Sequence, residues 1–107
     1  NIKKIKLLNK LITLTQKGYV LSGIGAGAKS NTFLTFYGLN NSIIKFLTDS
    51  SKFKQNKYTP ITRIVIKDDN QLSKHKKIAC LILSWNISGI VIKKIKKINK
   101  NIKLIKT

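Results

Sequence analysis

The chain has 107 residues, 42% of them hydrophobic, which suits one domain with a core of its own. Twenty-two Lys and Arg face three Asp and no Glu, a formal charge of +19. A single Cys excludes a disulfide framework, no apolar run approaches the roughly 20 residues of a membrane span, and neither paired carboxylates nor a metal-ligand spacing is present.

The charge has two readings. One is a polyanionic partner: RNA, DNA or an anionic membrane. The other is coding bias, because Lys, Ile and Asn are inflated together. Only Arg63 is arginine, whereas a dedicated nucleic-acid binder uses more arginine for bidentate and stacked contacts. A continuous basic face fits the first reading and an even spread of lysines fits the second. The first residue is Asn1 and not Met, which suggests a fragment or processed chain. Unpaired cysteine and the lack of a secretory signal suggest a cytoplasmic setting.

Residues 2–17 read as a basic amphipathic helix, a linker packing on the domain, with membrane-surface binding as the alternative. Ile5, Leu8, Leu11, Ile12 and Thr15 fall near one face, and Lys3, Lys4, Lys6 and Lys10 fall elsewhere. Gly18 closes it. Residues 19–22 form the first strand. Residues 23–29 form a glycine turn, and residues 30–38 a helix.

The turn carries the spacing G-x-G-x-x-A at Gly23, Gly25 and Ala28. In a dinucleotide-binding turn the first glycine permits the bend and the second lets a phosphate approach the backbone. The small third residue allows close packing of helix on strand, and the helix end favours an anion. A Walker loop fits less well, since Ala28 replaces the glycine before Lys29.

Residues 42–48 read as the second strand, with Asp49 at its tip, 24 positions after Gly25. An acid near that spacing contacts a ribose hydroxyl in dinucleotide folds. Alternatively it caps the following turn. Residues 50–60 form a polar loop whose Lys54, Lys57 and Tyr58 can contact phosphate and stack on a base or sugar; as a solvated loop it needs no such role. Residues 61–66 alternate as a third strand, 67–70 turn, and 71–77 form a short helix with a surface His75.

Residues 78–83 are a continuous apolar run, expected as a central parallel strand with Cys80 a buried thiol. Trp85 and Asn86 follow it and would share a rim with the glycine turn, because ligands bind beyond the carboxyl ends of such strands. A Trp that merely packs the helix below is the alternative. From Ile87 the pattern is helical, with Ile87, Val91, Ile95 and Ile98 on one face. A last strand over 102–105 is favoured over a helix running to the end. The fold class is α/β: a three-layer Rossmann-like domain, mostly parallel, preceded by an N-terminal helix.

Three motifs in order carry a family resemblance over residues 18–98. Residues 23–32, Gly-Ile-Gly-Ala-Gly-Ala-Lys-Ser-Asn-Thr, resemble the G-x-G-A-x-A-K-G-N-T of the C-terminal domain of SAM-dependent sugar C-methyltransferases. Asp49 with residues 54–60 resembles its D-x-x-x-x-K-Q-G-x-Y-x-P, and residues 81–86 its L-I-L-x-W-N. The resemblance implies a domain that helps hold a nucleotide-linked sugar. It also implies that the SAM site, the zinc and the catalytic base belong to other domains of the parent enzyme, in cis or on a separate chain.

This chain departs from the pattern at Ser30, Asn56 and Ile61, each in place of a glycine, and at Ser88-Gly89, where acidic residues are usual. The expected substrate contacts are then Gly23, Gly25 and Ala26 with Lys29 at the diphosphate, and Asn31 and Thr32 at the helix start. Asp49 would meet a hydroxyl, Lys54, Lys57 and Tyr58 would close the loop side, and Trp85 and Asn86 would border the sugar. No cofactor, metal or catalytic residue is expected in this chain. The rivals are a dinucleotide-binding fragment of an oxidoreductase, and a basic RNA- or membrane-binding module.

Overall fold

The computed structural model describes residues 2–83 and 89–107. Five strands form one parallel sheet in the order β3-β2-β1-β4-β5. They are β1 (Val20–Ile24), β2 (Phe46–Thr48), β3 (Ile66–Lys67), β4 (Ile78–Ile82) and β5 (Lys103–Lys106). The helices are α1 (Ile2–Gln16), α2 (Ala28–Tyr37) and α3 (Gly89–Ile98), with a 3₁₀ segment over Asp69–Lys74.

Side-chain alternation in the interior strands splits the core in two. Leu21, Leu47 and Leu81 pack with Leu11 and Leu14 of α1 and Leu34 of α2 on one face. Phe46, Ile78 and Cys80 pack with Leu72 of the 3₁₀ segment and Ile95 of α3 on the other. All five residues of β4 are buried, as its unbroken apolar run requires. The result is three layers, compatible with a Rossmann-like fold.

Helix ends follow local chemistry. In α1, the Gly18 amide donates to the Thr15 carbonyl and the Tyr19 amide to the Leu14 carbonyl. In α2, Gly38 donates to Thr35 and Leu39 to Leu34 in the same way. Both are Schellman closures, and both put glycine where the backbone is left-handed, at φ +88 and +67°. The end of α3 uses a side chain instead. Asn99 Nδ2 donates to the carbonyls of Leu72 (2.9 Å) and His75 (2.8 Å), tying α3 to the 3₁₀ segment. His75 is half-buried there, stacked on Phe46 at 5.7 Å between centroids, and is not a plain surface residue.

Two strands are shorter than their patterns suggest. Asn40 Oδ1 accepts from the Ser42 amide at 3.0 Å, holding residues 41–43 in a turn, so β2 begins only at Phe46. The expected strand over 61–66 is the return arm of a hairpin. The Asn56 amide donates to the Ile66 carbonyl and the Ile66 amide to the Lys57 carbonyl, and Tyr58 bridges Val65 antiparallel. The tip is held by Thr59 and Thr62, whose hydroxyls lie 2.6 Å apart, while Thr59 Oγ1 also accepts from the Ile64 amide at 2.9 Å. Burial still alternates, at Thr62, Ile64 and Ile66, so the period was real although only two residues join the sheet.

The hairpin contains two of the glycine departures. Asn56 and Ile61 both sit at φ +66°. Asn tolerates that region because its side chain is short and polar; a β-branched side chain there is an outlier. Ile61 is 81% exposed, so little packing compensates for the strain. Ile61→Gly is therefore expected to stabilise the domain by about 1 kcal/mol, seen as a higher urea midpoint at unchanged slope.

Lysines occupy both outer layers: Lys3, Lys4, Lys6 and Lys10 on α1, and Lys93, Lys94, Lys96 and Lys97 on α3. These helices cover opposite faces of the sheet. Lysines are therefore not confined to one face. No described helix is long and apolar enough to cross a membrane.

Candidate functional site

The chain leaves β1 toward β2 and β3, then returns to β4 on the other side of β1. The carboxyl ends of β1 and β4 therefore flank the point where the winding reverses, the position at which open α/β sheets bind ligands. The glycine turn follows β1 directly. It begins later than its sequence suggests, because Gly23 and Ile24 belong to β1.

Gly23 thus has a packing role and does not make the bend. A Cβ built on it would lie 2.7 Å from both Leu47 Cδ2 and Leu83 Cδ1. The bend falls at Gly25, with φ +102°. The Gly25 amide donates to the Thr48 carbonyl at 2.9 Å, and the Ala26 amide to Asp49 Oδ2 at 3.1 Å. These two N–H groups, expected to face a diphosphate, are already engaged inside the protein. The helix end itself fits an anion better. Gly27 is the N-cap of α2, with no side-chain cap and no acid in the first turn, so the positive end of the helix dipole is not neutralised by a cap. Lys29 is exposed in that turn, and Ser30, in place of a family glycine, is buried.

Asp49 is the hub. Besides the Ala26 amide on Oδ2, its Oδ1 accepts from the Ser51 amide at 2.9 Å. Lys54 Nζ stands 3.7 Å from Oδ2. Gln55 Nε2 donates to the Asp49 carbonyl at 3.0 Å and reaches Asp68 Oδ2 at 3.4 Å. Asp49 therefore pins the glycine turn to the loop after β2. Each carboxylate oxygen retains acceptor capacity for a ligand hydroxyl. Sequence reasoning gave Gln55 no role, although it lies in the quoted Lys-Gln motif; the signal was an amide between two lysines in a loop beside the acid.

The other expected contacts are distributed differently. Asn31 and Thr32 lie on α2, with Phe36, beside an open cleft whose other wall is Pro60 and Ile61 of the hairpin tip. Asn31 Oδ1 is buried with no hydrogen-bond partner among the described residues. Lys57 and Tyr58 are exposed on the hairpin's outer arm, held by backbone bonds to β3 and its approach. Trp85 and Asn86 lie outside the described residues. Cys80 is buried between layers, and burial pushes its thiol up to about 12, the hydrogen bond with Ser22 drawing it slightly back. That is the state of an inert structural thiol. Among the described residues no group of three His, Cys, Asp or Glu could hold a metal.

A doubly wound parallel sheet with a glycine turn at its reversal point, tied by an acid at the tip of the next strand, defines a Rossmann-like domain. The sequence matches the C-methyltransferase C-terminal domain family over residues 1–105, and the chain belongs to that family. It is similar to the C-methyltransferase NovU of Streptomyces niveus, 32% identical over 84 residues. Those residues are 78% of this chain and 20% of that protein, so the chain spans about one fifth of this relative's length.

Proposed function

We propose that this domain binds the nucleotide-linked sugar for a SAM-dependent C-methyltransferase whose SAM site, zinc and catalytic base lie in other domains, in cis or on a separate chain. The observation that carries the reading is the Asp49 hub. It joins the glycine turn, the uncapped start of α2 and the Lys54 loop at the reversal point of the sheet, within a member of a C-methyltransferase family. The diphosphate would meet the first turn of α2 and Lys29. Asp49 would accept from a sugar or ribose hydroxyl, with Asn31 and Thr32 adding polar contacts. Lys57, Tyr58, Trp85 and Asn86 complete the proposed contact set. The domain supplies binding and orientation; the methyl transfer itself belongs to the SAM-bearing part.

Titration of the chain with several nucleotide sugars at moderate salt, followed by amide NMR, tests this. Saturable shifts over residues 25–32 and 49–55 are expected, with NAD(H) binding more weakly. Shifts confined to the lysine-rich termini, with residues 23–32 silent, would sink the reading. Tighter binding of NAD(H) would replace it with the oxidoreductase one.

A further inference from the structure

A second cleft, of about 200 Å³, lies between α1 and the end of β5. Lys3, Lys6 and Lys10 line it from α1 and Lys106 from β5, with Leu7, Tyr37, Ile105 and Thr107 completing the walls. The i, i+3, i+7 spacing puts the three α1 lysines on one helix face. That volume is roughly that of six or seven waters, room for a phosphate or diphosphate group.

Four exposed cations around one concavity raise the local positive potential and favour an anion among them. The protein's own acids are committed elsewhere. Asp49 serves the glycine turn and Lys54. Asp68 caps the 3₁₀ segment and meets Gln55, and Asp69 pairs with Lys94 at 3.6 Å. These are the only three acidic residues in the chain, and no acidic side chain lines the cleft. The neighbouring Lys4 shows another arrangement, its ammonium lying 5.0 Å from the Phe36 ring centroid. Tyr37 contributes both an apolar ring and a hydroxyl able to donate to a phosphate oxygen.

We propose that this cleft is an anion site, separate from the glycine turn, that takes a phosphate or diphosphate group, free in solution or carried on a lipid headgroup. It depends on where α1 lies on the domain and not on the sugar-nucleotide reading.

The probe is inorganic pyrophosphate, titrated into the full chain at 150 mM salt and followed by amide NMR. Saturable shifts are expected over residues 3–10 and 105–107. The exposed pair Lys6→Gln/Lys10→Gln should weaken binding at least tenfold. The charge-matched pair Lys93→Gln/Lys97→Gln on α3 should change it less than twofold. Circular dichroism checks that both variants are folded. Sedimentation with phosphatidic acid vesicles against neutral vesicles separates the sources. Vesicle binding that pyrophosphate competes away and that only the α1 pair abolishes assigns a lipid headgroup, and its absence beside pyrophosphate binding assigns a free ligand. Equal weakening by both pairs, or no saturable shift at these residues, would overturn the proposal. Residues 25–32 report the other site in the same spectra, so the two outcomes are read independently.

Discussion

Replacing Asp49 by alanine is expected to destabilise the domain by about 3 kcal/mol, since it strips a charged acceptor from two backbone amides at once. One of these, on Ala26 within the glycine turn, is in a residue almost wholly buried. Without the carboxylate this partly buried amide loses its acceptor and keeps part of its desolvation penalty. The second amide, on Ser51, is less enclosed and contributes less. The Lys54 contact adds little, because the ammonium is about half exposed and the separation is 3.7 Å. Asp49→Asn should cost about 1 kcal/mol, keeping one acceptor oxygen but losing the charge and the second acceptor. Urea unfolding of the three proteins gives the ordering directly. Equal stability of wild type and Asp49→Ala would mean that the turn is held by the Gly25–Thr48 backbone bond alone.

The same substitution separates two roles that the sequence presented as alternatives. As a spacing signal, Asp49 read either as a ligand contact or as a turn cap. Its Oδ1 bond to the amide two residues on is a cap of that kind. Its Oδ2 bond spans 23 positions to the glycine turn, which no local rule anticipates. A binding assay therefore needs Asp49→Asn, in which the turn is more nearly preserved. Asp49→Ala alone confounds ligand loss with local unfolding.

What was legible in the sequence was what local periodicity and glycine chemistry encode. The apolar run ending at Leu83 gave β4; the Val91, Ile95 and Ile98 spacing gave α3, Ile87 lying outside the described residues; Gly18 and Gly38 marked two helix ends. The helix-then-strand ending was also readable, because Asn99 both stops α3 and turns the chain toward β5, its Oδ1 accepting from the Asn101 amide at 3.0 Å. The hairpin over residues 56–66 was not. Period-two burial is common to sheet strands and hairpin arms, and only the Thr59–Thr62 hydroxyl pair and the left-handed residues decide between them. Those are tertiary and conformational facts with no periodic trace. The start of the turn was misplaced because the glycine spacing fixes three positions but not which of them bends. Gly23 satisfies the motif while lying in a strand.

That last point yields the second large effect. Gly23→Ala is expected to cost about 2 kcal/mol through overpacking, not through any change in backbone freedom. The added methyl would meet two leucine methyls at 2.7 Å, on neighbouring strands β2 and the extension of β4, so relief from one does not relieve the other. Both leucines are buried in the same core cluster, so a displaced methyl moves against other core side chains. Leu83→Val shortens one obstacle and should cost about 1 kcal/mol by itself. In the double variant the smaller side chain accommodates the methyl, so the two costs should fall short of their sum by about 1 kcal/mol. Thermal or urea unfolding of the four proteins closes the cycle. Strict additivity would mean that the methyl and Leu83 do not compete for the same space. Were Gly23 a ligand-facing turn residue, the alanine would instead leave stability nearly unchanged and weaken nucleotide-sugar binding, and neither effect would respond to Leu83→Val.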